Sequence, residues 1–124
     1  MDVYETMRKL KIALPAAPDP AGLYVPAKSF AGGKLVFLSG CLPTRDDTLK
    51  TGRLGRDLAM EEGAAMARSA MLNALAVLHR ELGDLNRIRT IVKITTFVAS
   101  ADDFYAQPAV ANGGSQLLAD VFGI

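Results

Sequence analysis

The side chains from which acid–base, nucleophilic or metal chemistry could be built are sparse in this sequence, and each has a plainer use. Asp102 and Asp103 close the stretch IVKITTFVASADDF, Ile91 to Phe104, and an adjacent carboxylate pair is raw material for general acid–base catalysis. Neighbouring carboxylates behind a strand-like run also suit a helix start, where they answer the helix dipole, and that is the use expected here. Cys41 is the one cysteine; a reactive nucleophile is one use of it, a buried inert thiol the expected one. His79, the one histidine, stands between Leu78 and Arg80 on a helical pattern and is expected to be an exposed helical residue. A single Cys and a single His provide neither a structural zinc site nor an intrachain disulfide, so no metal is expected. Lys93 belongs to a mixed strand face, where an intersubunit ion pair is expected in place of a catalytic amine.

The elements that must position such groups follow from pattern. Val3, Met7, Leu10 and Leu14 repeat at helical spacing, with acidic residues first and basic ones later, which predicts a short helix from about Asp2 to Leu10. PAAPDPAG then forms an extended connector. LYVPAKSFAGG and KLVFLSGCLP are β-type runs joined through Gly32-Gly33, which predicts a hairpin ended by Pro43. TRDDTLKTGRLGRD is loop around a third short strand, Thr48 to Leu54. From Met60 to Leu82 apolar residues recur every three or four positions; Asp57 stands before this long helix and Gly83 is placed to stop it. Leu85 to Val98 is a long strand. One face, Ile88, Thr90, Val92, Ile94, Thr96 and Val98, is expected under the helix; the other carries Lys93, Thr95 and Phe97, a mix that fits another subunit or a partly polar cavity. Ser100 or Asp102 is available as a cap, and GGSQLLADVFG reads as a last helix, its two glycines weakening the first turn.

Composition narrows the function classes. Half of the 124 residues are hydrophobic and 22% are charged, the profile of an ordinary globular protein, and the length allows one domain, residues 1–124, able to bury roughly two-thirds of its unfolded surface. Fourteen basic against thirteen acidic residues leave a formal charge of +1, which gives no electrostatic footprint for nucleic acid or anionic lipid. The most apolar run, KLVFLSGCLP, is far shorter than the ~20 residues of a bilayer span. MDVYETMRKLKI lacks the apolar core of a secretory signal, so a cytoplasmic location, with no membrane partner, is expected.

Taken together, PAGLYVPA with its Gly-x-Tyr approach, FLSGCLP at a Ser-Gly-Gln-x-Pro type turn, VKITTFVASADDF and the Asn of VANGG resemble the Rid family, also called YjgF-like proteins or reactive-intermediate deaminases. The N-terminal helix and PAAPDP, residues 1–20, resemble a subgroup that carries such a leader. The resemblance implies an α+β chorismate-mutase-like fold, a mixed sheet with two helices on one face. It also implies a homotrimer with a site in each intersubunit cleft, and no cofactor. Onto this chain it carries Tyr24 as a ligand-approaching tyrosine, and Ser39 and Gly40 as the pocket-lining turn. Cys41 stands where many members have Gln, Phe97 supplies an apolar wall or interface residue, and Asn112 is a site asparagine or helix N-cap.

In deaminating members the pocket binds the carboxylate of a 2-imino or 2-enamino acid, and water hydrolyses the imine to a 2-oxo acid and ammonia. The family's anchoring Arg and water-positioning Glu lie on strands after the last helix, and this sequence stops at VFGI before any counterpart of either. Without the family's final strand, the strand at Leu85 to Val98 would have an open edge, which a partial sequence, a truncated product or a differently closed sheet would each explain. Imine hydrolysis and non-enzymatic binding of a small carboxylate therefore both remain open. An endoribonuclease or translation inhibitor is disfavoured by the near-neutral charge and the absence of a His pair or basic stripe.

Overall fold

The computed structural model describes residues 2–45 and 48–123; the Asp46–Asp47 part of the expected loop lies outside the described residues. The elements are α1 (Val3–Lys9), β1 (Ala27–Phe30), β2 (Leu35–Leu38), β3 (Thr44–Arg45), β4 (Thr48–Leu49), α2 (Met60–Leu82), a 3₁₀ turn (Leu85–Arg87) and α3 (Gln107–Phe122). The chain is α+β, and its contacts group it into two compact units, Met1–Cys41 with Leu72–Arg89 and Leu42–Met71 with Thr90–Ile124.

In the first unit, α1 begins where Asp2 can cap it: Oδ1 accepts the Glu5 N–H at 3.0 Å, with Glu5 in the first turn and Arg8 and Lys9 in the last. Val3 and Met7 are buried, as are Leu75, Ala76, Val77 and Leu78 of α2 and Leu85 beyond it. Polar contacts pin the start of α1 to the chain beyond α2. Asn86 Oδ1 accepts the Val3 N–H at 2.8 Å, the Tyr4 hydroxyl accepts the Leu85 N–H at 2.7 Å, and the same hydroxyl meets His79 Nδ1 at 2.8 Å. The hairpin pairs Ala27 with Leu38, Lys28 with Phe37, Ser29 with Val36 and Phe30 with Leu35. Its turn needs left-handed backbone at Gly32 and Gly33, φ 68° and 81°, which glycine adopts without steric cost.

In the second unit, β3 and β4 form a two-residue hairpin, Thr44 opposite Leu49 and Arg45 opposite Thr48. Leu54, expected as the end of a strand, instead makes isolated bridges to Leu58 and to Ser100, the latter with Leu54 N–H to the Ala99 carbonyl and Ala101 N–H to the Leu54 carbonyl, both 2.9 Å. Asp57 does not cap α2: it accepts the Arg53 N–H at 2.9 Å and pairs with the Arg56 guanidinium at 3.0 Å. Glu62 reaches back to the Ala59 N–H at 3.1 Å, one half of a capping box. The α2 bounds match the periodic run, and Gly83, φ 77°, stops it as expected.

Two further expectations are corrected. The last helix starts at Gln107, six residues before the glycine pair, with Pro108 in its first turn and no side-chain cap from Ser100 or Asp102. Gln107 instead donates to Ser100 Oγ at 3.1 Å and the Phe104 carbonyl at 2.7 Å. The glycines lie mid-helix because α2 approaches there: a Cβ on Gly113 would stand 1.9 Å from the Ala64 carbonyl oxygen. Second, Leu85–Val98 is not one long strand. Leu85–Arg87 is a 3₁₀ turn, capped by Asp84 Oδ1 on the Asn86 N–H at 2.9 Å and held by the α1 contacts. From Ile88 to Ala99 the chain runs without helix, turn or bend. Among the described residues no backbone hydrogen bond joins 89–98 to a neighbouring strand. A strand exists as part of a ladder, and the described residues supply no second side for this one.

Candidate functional site

Tyr24, Ser39, Gly40 and Cys41 all belong to the first unit and gather at the open end of the β1–β2 hairpin. Ser39 carries the geometry: its N–H donates to the Pro26 carbonyl at 2.9 Å and its hydroxyl to the Val25 carbonyl at 2.6 Å, tying the end of β2 to the residues just after Tyr24. Tyr24 is partly exposed, and its hydroxyl accepts the Ala21 N–H at 3.0 Å across a tight local turn. Gly40 is exposed. Neither its N–H nor that of Cys41 has a backbone or side-chain acceptor among the described residues. Two successive amide donors left open beside an exposed glycine are suited to a carboxylate.

Cys41 is half-buried, its Sγ 3.8 Å from the Ser39 carbonyl, and burial pushes the thiol above its ordinary range. That favours the protonated, weakly nucleophilic form. Asp102 and Asp103 are exposed in a turn ahead of α3, and they cap nothing there.

Phe97 and Asn112 belong to the second unit. Phe97 is 93% exposed on the open segment after the 3₁₀ turn. Asn112 is an exposed residue inside α3, so its expected N-cap role is ruled out by its position six residues into the helix. Two cavities of this unit are lined by none of the candidate site residues. One of about 260 Å³ is walled by Leu54, Met66, Ala67, Ala70, Val98 and Val110. The other, about 310 Å³, lies between Ile94 and Thr96 and the α3 residues Gln107, Pro108, Ala111 and Ser115. Helical periodicity marks Met66 and Ala70 only as apolar, so nothing in the sequence separates a cavity wall from core. Among the described residues no group of three or more His, Cys, Asp or Glu is placed to hold a metal, and no helix is long and apolar enough to cross a membrane.

The decisive comparison is with protein families: the model of the family described as YjgF/chorismate-mutase-like, putative endoribonuclease, matches residues 8–124. The chain belongs to the YjgF/chorismate-mutase-like family. It is 40% identical over 122 residues to Protein TCP17 of Trypanosoma cruzi, a match covering 98% of this chain and 75% of that protein. A crystal structure titled as a putative endoribonuclease from Shewanella oneidensis is similar with a TM-score of 0.87 and 28% identity, over 99% of this chain and 81% of that one. The protein Atu1372 of unknown function from Agrobacterium tumefaciens gives a TM-score of 0.85 and 35% identity, over 98% and 74%. The YjgF-like fold is thus shared across the matched length, including the hairpin end that carries Tyr24 and Ser39.

Proposed function

We propose that this YjgF-like chain binds a small carboxylate metabolite at the Tyr24–Cys41 hairpin end, as part of clefts formed between the copies of a homotrimer in the cytoplasm. The observation that carries this reading is the pair of open N–H groups at Gly40 and Cys41, held in place by the two Ser39 bonds to Pro26 and Val25. Backbone amides held by the bonds of the preceding residue need little reorganisation to receive an anion, so their binding strength is built into the fold. The apolar hairpin face, with Phe30, Leu35 and Phe37 exposed, supports assembly, since a contiguous apolar surface of this kind marks a protein contact. Phe97 and Asn112 enter the proposal as wall and polar contact of the cleft.

The chemistry proposed for such a cleft is hydrolysis of 2-imino or 2-enamino acids. An enamine first tautomerises to the imine by moving a proton from nitrogen to C3; water then adds to the imine carbon, the carbinolamine shifts its hydroxyl proton to nitrogen through solvent, and ammonia leaves as the C=O of the 2-oxo acid forms. The amide pair would hold the substrate carboxylate and orient the imine carbon. The test is release of ammonia and 2-oxo acid from freshly generated 2-aminoacrylate. A rate no higher than buffer, with the chain folded and trimeric, rejects the enzymatic reading.

Binding without turnover is favoured by one specific feature: the titratable side chains at the hairpin end are Tyr24 and Cys41, and burial keeps the thiol protonated. Titration calorimetry with 2-oxobutanoate that gives saturable binding alongside no imine hydrolysis selects this second reading. The endoribonuclease named for the family and for the Shewanella structure is the weaker possibility for this chain, whose net charge of +1 offers little to a phosphate backbone. Cleavage of single-stranded RNA by the purified chain, abolished with its fold, would reverse that order.

A further inference from the structure

We infer that α1 and the proline-rich stretch behind it form a strap that sets Tyr24 in place at the hairpin end, with Tyr4 and Asn86 as positioning residues for the carboxylate site. Only the binding half of its test rests on the carboxylate reading, and every residue in it belongs to the first unit.

The strap is fastened at both ends. At one end α1 is docked: Val3 and Met7 are buried, Asn86 Oδ1 accepts the Val3 N–H at 2.8 Å, and the Tyr4 hydroxyl accepts the N–H of fully buried Leu85 at 2.7 Å. At the other end the strap holds the candidate site residue itself, because the Ala21 N–H donates to the Tyr24 hydroxyl at 3.0 Å. The proton of that hydroxyl has no acceptor among the described residues, which leaves it to a ligand oxygen.

Between the fastenings, Ile12 to Pro20 has no helix, strand or turn, and among the described residues nothing from 13 to 20 makes a hydrogen bond. A flexible chain would absorb any displacement there, but this one is stiffened. Pro15, Pro18 and Pro20 have φ fixed by their rings, and Leu14, Ala17 and Asp19 are held extended by the proline that follows each. Six of the ten residues from Ile12 to Ala21 therefore have little freedom, and such a segment acts as a semi-rigid spacer. The place of α1 is passed along it to Ala21, and through Ala21 to the Tyr24 hydroxyl. Contacts at the far end of α2 thus contribute to the preorganisation of the site.

Two variants of the full chain test the strap from its two sides. Tyr4→Phe leaves the Leu85 N–H without its acceptor and loosens the docked end. Pro15→Gly, Pro18→Gly and Pro20→Gly together slacken the strap while leaving both fastenings in place, since none of the three makes a hydrogen bond among the described residues. Fluorine NMR of the chain carrying 3-fluorotyrosine reads Tyr24 directly, its signal among the three tyrosines being the one that Tyr24→Phe removes. Both variants should move that signal toward the position of free fluorotyrosine, while Tyr105 in the second unit keeps its place. Both should also weaken 2-oxobutanoate binding in calorimetry by about three- to tenfold, part of the worth of one hydrogen bond to a carboxylate. A Tyr24 signal unmoved in either variant, or binding that stays at the native strength while the signal moves, overturns the proposal. If the native chain does not bind 2-oxobutanoate, the carboxylate reading fails while the fluorine signals still decide the strap, so the two are refuted separately.

Discussion

Ser39 and Cys41 are adjacent but one residue, and they answer to different physics. The Ser39 hydroxyl spends its proton on the Val25 carbonyl at 2.6 Å, so Ser39→Ala removes a bond that fixes the Gly40–Cys41 amides. A loss of about 0.5–1.5 kcal/mol in stability is expected from thermal melts, together with weaker carboxylate binding by calorimetry. A change in stability alone would make Ser39 structural only. Cys41 has its thiol raised by burial, so at pH 8 it should react with iodoacetamide more slowly than a free cysteine, the rate climbing toward the usual value only at higher pH. Mass spectrometry of the alkylated peptide measures this; full reaction at neutral pH would mark an activated thiol. Asp57 has the opposite sign. Its carboxyl is held below the ordinary range by the Arg56 side chain and then by the Arg53 N–H, so its contribution is present above the unfolded value and is lost as pH falls through the lowered one. Loosening of the 53–57 turn, followed by amide exchange, should therefore begin only below about pH 4, and Asp57→Asn should make it pH-independent.

At the scale of elements, the two helical glycines of α3 are adjacent in sequence and opposite in consequence. Gly→Ala inside an exposed helix usually gains about 1 kcal/mol. At Gly113 a Cβ would sit 1.9 Å from the Ala64 carbonyl oxygen, backbone that cannot swing aside, so Gly113→Ala should instead cost about 1–3 kcal/mol by forcing α2 and α3 apart. At Gly114 the nearest atoms are 3.4 Å away, ordinary contact, so Gly114→Ala should be neutral or mildly stabilising in the same melts. The pair also shows where the sequence was legible. Local signals sufficed for α2, whose apolar repeat over 23 residues and Gly83 stop need no partner, and for the β1–β2 hairpin, whose Gly32-Gly33 turn dictates its own backbone. They failed where the determinant was remote. The GG of VANGG looks like a helix breaker until α2 lies against it. Leu85–Arg87 looks like strand until Val3 and Tyr4, more than eighty residues earlier, claim Asn86 and Leu85. The candidate residues follow the same division. Tyr24 and Ser39 come together through hairpin pairing that the sequence predicts, while the place of Asn112 inside α3 depended on a helix start it did not reveal.

For the whole molecule, the apolar face of the hairpin is the test of whether the proposed carboxylate site is completed by other copies. Lys28, Phe30, Leu35 and Phe37 share that face by register, the rings of Phe30 and Phe37 lie 4.9 Å apart, and Phe37 is 73% exposed. An aromatic pair left in water forgoes burial worth about 1.5–3 kcal/mol per side chain, and a homotrimer recovers that three times over. Phe37→Lys keeps the strand and adds a charge that an apolar contact cannot accommodate, so light scattering should show loss of the threefold species while circular dichroism stays unchanged. Carboxylate binding should fall with it, since Ser39 and the open amides at Gly40 and Cys41 lie at the end of the same strand. If Phe37→Lys dissociates the assembly and binding persists in the monomer, the site is complete within one chain and the intersubunit cleft is wrong. If it leaves the assembly whole, the apolar hairpin face is not the contact.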